Sequence, residues 1–77
     1  MIKEHDCIVL LEDLPENSLK AGDIGTVVHI HIGGAGYEVE FMTLVGETVA
    51  VVTLLPPQLR PIARRDLAHV RELTGAR

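Results

Sequence analysis

Seventy-seven residues, 47% of them apolar but with only one Phe, one Tyr and no Trp, make one small domain whose core is aliphatic. The formal net charge of −4 is divided unevenly: residues 1–59 hold nine acids and two lysines, net −7, whereas residues 60–77 hold five arginines with Asp66 and Glu72, net +3. An acidic body repels a phosphate backbone, a lone cysteine excludes an intramolecular disulfide, and no apolar run reaches the ~20 residues of a membrane span; a cytoplasmic protein that binds neither nucleic acid nor membrane is expected.

In chain order, Asp6–Leu11 (DCIVLL) reads as a first strand, with Cys7 expected to be buried like most free cysteines. The segment EDLPENSLKAGDIG follows as a long irregular loop, its Leu14 and Leu19 expected to tuck back under the sheet. Thr26–Ile32 is the second strand. A four-residue turn at Gly33–Gly36 would set Ile32 opposite Tyr37, Ile30 opposite Val39 and Val28 opposite Phe41 on an inner face, leaving His31 opposite Glu38 and His29 opposite Glu40 outside. A second turn near Val45-Gly46 places Phe41 against Ala50 and Val39 against Val52, and on the outer side Met42 against Val49 and Glu40 against Val51.

Pro56 and Pro57 must end the fourth strand, because a proline cannot donate to a ladder. A single helical turn then leads to Arg60-Pro61-Ile62 as a short fifth strand. The periodicity of ARRDLAHVRELT, residues 63–74, predicts an α-helix with Ala63, Leu67, Val70 and Thr74 on one stripe, a helix that forms only if the stripe is buried. The expected architecture is mainly β: a five-stranded SH3-like barrel over residues 1–62 and a short C-terminal α-helix and tail over 63–77.

The blocks DLPENSLKAGDIGTVVHI, YEVEF, GETVAVVTL and QLRPI, in that order, resemble the domain-of-unknown-function 4926 family of very short bacterial proteins, over roughly residues 4–62. The resemblance implies a small SH3-like β-barrel and brings no catalytic residues with it. Leu11, Val45 and Leu55 are apolar where such turns and surfaces usually carry polar residues, which favours packing against another surface.

Chemistry is sparse. His29, His31, Glu38 and Glu40 share one expected face, and two imidazoles with two carboxylates are acceptable zinc ligands. A flat strip spreads four side chains apart where zinc needs them convergent, so opposite-charge pairing across a hairpin is the preferred reading. No spacing sets a nucleophile beside a histidine and an orienting acid, the aromatic row that a Pro-rich ligand needs is missing, and no cofactor is expected. More informative is the surplus of aliphatics pointing outward. Val27, Met42, Val49 and Val51, with Leu67 and Val70 of the tail, are the expected contact residues of a non-enzymatic scaffold module that forms a homo-oligomer. Two alternatives are a small antitoxin-like or immunity-like partner of another protein and a metal-binding hairpin.

Overall fold

The computed structural model describes residues 1–73. Five strands form one antiparallel sheet: β1 (Cys7–Leu10), β2 (Ile24–Ile30), β3 (Tyr37–Met42), β4 (Thr48–Leu54) and β5 (Leu59–Pro61), in the order β4-β3-β2-β1-β5. Short 3-10 turns at Pro15–Asn17, Ile32–Gly34 and Pro56–Gln58 join them. The chain is therefore mainly β with five strands, as the sequence leads one to expect. Two parts of the expectation are corrected. The sheet is open, with β4 and β5 as its two edges rather than a closed barrel, and no α-helix is present among the described residues.

The open edge has a local cause. β5 has only three residues and ends in Pro61, which lacks the N–H that a further ladder would need. Gln58 fixes the approach to it. Its backbone carbonyl accepts from Leu11 N at 2.8 Å, its side-chain oxygen accepts from Leu55 N at 2.7 Å, and its amide nitrogen donates to Glu12 at 2.9 Å. The turn after β4 is thus stitched to the exit of β1, and β5 runs beside β1 with Leu10 opposite Leu59 and Val9 opposite Arg60.

The missing helix is explained by what its residues do instead. Asp66 closes a single turn, accepting from Ala63 N at 2.6 Å and from both terminal nitrogens of Arg60 at 2.9 and 3.0 Å. Beyond that turn the chain has no regular secondary structure as far as Arg71, which reaches back to the long loop. The stripe that had to be buried is not: Leu67 is 94% and Val70 72% exposed. With nothing for its apolar face to pack on, a helix this short has no net stabilisation. Thr74, the last residue of the expected stripe, lies outside the described residues.

The core gathers Ile8, Leu10, Val27, Val39, Phe41, Leu54 and Leu59 on one face of the sheet. Leu19 completes it from the long loop, where it bridges to Leu14, and Leu14 packs against the same cluster. Here the expectation and the structure agree. The β3–β4 register is also the expected one through Val39–Val52, Glu40–Val51 and Phe41–Ala50, before a bulge at Val49 brings Met42 opposite Thr48.

The β2–β3 register differs. Gly33 and Gly34 both have positive φ, at 72° and 71°, which widens the turn so that His31 N bonds Gly36 O at 2.9 Å and Ile32 is left exposed. Ile30 consequently faces Tyr37, and His29 faces Glu38. A bulge at Val28 then inverts the alternation, so Val27 and not Val28 lies opposite Val39 in the core. The reason is visible at Gly25. A Cβ there would stand 2.6 Å from Val39 Cγ1 and 2.8 Å from Phe41 Cε2, so the Phe41 ring needs a residue without a side chain beneath it. The bulge brings Gly25 to that spot.

Candidate functional site

The face of the sheet opposite the core carries the hairpin histidines and glutamates and, of the expected contact residues, Met42 and Val51. Polar and apolar side chains are interspersed on it.

One polar group of side chains lies at the opening of the β2–β3 hairpin. The imidazole Nε2 of His31 lies 2.7 Å from Glu38 Oε2, and the Thr53 hydroxyl donates to both oxygens of the same carboxylate at 2.8 and 3.0 Å. These hydrogen bonds, His31 first and Thr53 second, hold the Glu38 carboxyl below its ordinary range. The ring of His29 stands edge-on to that of His31, 5.4 Å between centroids, but turns its Nδ1 toward Glu4 at 3.8 Å. Glu40 is drawn the other way and accepts from the Thr48 hydroxyl at 2.6 Å. The four candidate ligands are therefore parcelled into three separate contacts with different partners. Among the described residues, no three His, Cys, Asp or Glu side chains are grouped so that they could hold a metal ion. His29, His31, Glu38 and Glu40 are thus not brought together on one point.

Moving along the strands, Cys7 lies opposite Thr26, and Thr26 opposite Glu40, which lies opposite Val51. Cys7 is thus exposed on this outer face, contrary to the burial expected of it; its alternation with Ile8 and Leu10, both fully buried, decides the matter. The exposed aliphatics of this face are spread among these rows, Val28 at the bulge beside His29, Val51 opposite Glu40 and Met42 opposite Thr48. Ile24, Val28, Met42 and Val51 are 45%, 41%, 48% and 55% exposed. Of the expected contact residues, Met42 and Val51 are where the sequence put them, Val27 is fully buried in the core, and the bulge turns Val49 to pack against the core. Ile24 and Val28 were missed as surface residues because the bulge cannot be read from a run of two valines. Leu11, Val45 and Leu55 are exposed as well.

The tail crosses the far side of this face. Arg60, paired with Val9 across the β1–β5 ladder, extends on the outer side and binds Asp66 there. The Arg60 guanidinium, followed by the Ala63 N–H, lowers the Asp66 carboxyl from 3.8 to about 2. Arg71 then anchors the strap: Nε donates to Asp23 Oδ1 at 2.9 Å, Nη2 donates to Oδ2, and Nη2 also donates to the Ser18 carbonyl at 3.0 Å. Partial burial works to raise the Asp23 carboxyl, but the hydrogen bonds from Arg71 and from Lys20 N outweigh it and leave it lowered. Between the strap and the long loop lies a groove of about 250 Å³ bordered by Asp13, Ser18, Lys20 and Arg71. Val9 is nearly buried although it alternates with core residues. Leu67 and Val70, the two expected contact residues of the tail, project from the strap into solvent.

Among the described residues no helix is long and apolar enough to cross a membrane. The fold and this face define a small, mainly β, single-sheet protein with a mixed polar and apolar outer surface. The family described as Domain of unknown function (DUF4926) matches residues 4–61, and the chain belongs to it. No curated protein and no solved structure matches the chain.

Proposed function

We propose that this chain is a non-enzymatic protein-binding module that self-associates through the apolar part of its outer sheet face. The observation that carries the reading is the group Ile24, Val28, Met42 and Val51, all exposed on the side of the sheet away from the core. A small domain that has already filled its core has no fold-level use for four outward aliphatics, and Met42 and Val51, on adjoining strands, are the pair that exposed apolar surface of this kind offers to a partner. The expected helix does not contribute; the tail contributes Leu67 and Val70 from an irregular strap. Charge favours a second copy as the partner. The body of residues 1–59 is net −7 and the tail net +3, so each copy offers the other both signs. The histidines and carboxylates of the hairpin are absorbed in surface pairing and give no reacting centre to build on. The same reading keeps the protein cytoplasmic and without a cofactor.

The test is native mass by size-exclusion chromatography with light scattering across a range of concentrations, for the natural chain and for Met42→Lys with Val51→Lys. A discrete multiple of 8.4 kDa for the natural chain, falling to the monomer in the variant with an unchanged far-ultraviolet spectrum, is the expected result. An assembly that survives both lysines excludes this face, and a monomeric natural chain overturns self-association.

A further inference from the structure

The two edges of the sheet are built differently. β5 is three residues long, ends in Pro61, and its Arg60 is locked to Asp66 at the start of the strap. Short length, a proline and a charged side chain are the usual means of preventing an edge from pairing. β4 has none of them. It is seven residues long, Thr48–Leu54 (TVAVVTL), with no charged residue and no proline, and among the described residues it pairs only with β3. Every second backbone N–H and C=O of such a strand is left facing outward.

Resting on the reading of a self-associating module, we propose that β4 is the strand by which two copies join, edge to edge and antiparallel, into one continuous sheet. The bulge at Val49 limits the regular edge to Ala50–Leu54, whose middle residue is Val52. A two-fold axis there sets Val52 beside Val52 of the second copy, Ala50 beside Leu54, and Val51 beside Thr53. Because opposed residues of an antiparallel pair share a face, both cores then lie on one side and both outer faces on the other.

Three observations favour a second copy over an unrelated strand. β4 carries no charge, so its self-pairing opposes no like charges across the axis. The nearest carboxylates, Glu38 and Glu40 on β3, are already bonded to the hydroxyls of Thr53 and Thr48 and so are tied down beside the strand. Finally, the pairing sets the exposed Met42 and Val51 of the two copies along the same widened face, so the strand edge and the apolar surface become parts of one interface.

Residue-resolved amide hydrogen exchange on the natural chain tests this without a variant that could fail to fold. It is run at a concentration where light scattering shows the assembly and at one dilute enough to give the monomer. Alternate amides within Ala50–Leu54, fast in the monomer, are expected to slow by more than about tenfold in the assembly, with the β5 amides unchanged. An assembly in which those β4 amides stay fast overturns edge pairing while leaving self-association through the outer face intact. A chain that is monomeric at every concentration overturns both.

Discussion

Gly25 shows how one residue sets the layout of the whole hairpin. It has no need of an unusual backbone angle; what matters is the missing side chain, because the Phe41 ring and a Val39 methyl occupy the space a Cβ would take. Replacing it forces the only phenylalanine of the chain to move or the strand to shift. Overpacking of this kind costs about 1–3 kcal/mol, so Gly25→Ala is expected to lower the urea midpoint of unfolding by a corresponding amount, with little change in the slope. An unchanged midpoint would show that Phe41 has room to adjust. Val27 and Val28 are the residues next to this constraint. Their order in the sequence is uninformative, since two adjacent valines fit either alternation, and only the bulge opposite Val39 decides which is core.

At the scale of elements, the tail is the clearest case of a local pattern overruled by its surroundings. Residues 63–74 have helical periodicity in the sequence, yet the described part, 63–73, forms no helix: Arg71 finds Asp23 and Ser18, while Leu67 and Val70 stay exposed. The strap depends on that anchor. Asp23→Asn is expected to raise the backbone mobility of residues 67–73 in nitrogen-15 relaxation, at a global cost of about 1 kcal/mol or less, as for other ion pairs near a surface. The pH dependence follows from the same pair. Asp23 is lowered below 3.8 in the folded chain, so the stabilisation it gives is full above that ordinary value and is lost as pH falls through the lower folded one. The strap is therefore expected to stay docked at pH 5 and to loosen only in strong acid. Loosening at pH 5 to 6 would mean that a histidine, and not Asp23, controls it.

Across the whole molecule, one core joins all five strands: Ile8 and Leu10 on β1, Val27 on β2, Val39 and Phe41 on β3, Leu54 on β4 and Leu59 on β5. No part of the sheet has a core of its own, so unfolding should be a single transition. Leu54, fully buried on the edge strand, is a sensitive place to test this. Truncation to alanine costs about 2–5 kcal/mol at such sites, a large share of the roughly 5–15 kcal/mol that stabilises a domain. For Leu54→Ala, far-ultraviolet dichroism and the fluorescence of Tyr37, the only tyrosine, should shift together. Separate transitions would show that β4 comes away while the other strands hold.

The sequence by itself determined the strand order along the chain, the ends imposed by Pro56, Pro57 and Pro61, the return of Leu14 and Leu19 beneath the sheet, and most of the β3–β4 register. Each of these rests on short-range information: alternation with a period of two, a proline without an N–H, a glycine at a turn. Membership of the family was legible for a similar reason, since the blocks that carry it are contiguous stretches of chain. The tertiary structure alone decided the rest. Whether Val27 or Val28 is inside depends on where Phe41 finds space. Whether His29, His31, Glu38 and Glu40 converge depends on a bulge and on which neighbours, Glu4, Thr48 and Thr53, reach them first. Whether residues 63–73 coil depends on whether an apolar surface lies within reach. All three are settled by side chains distant in sequence competing for the same space, and no local pattern contains that competition.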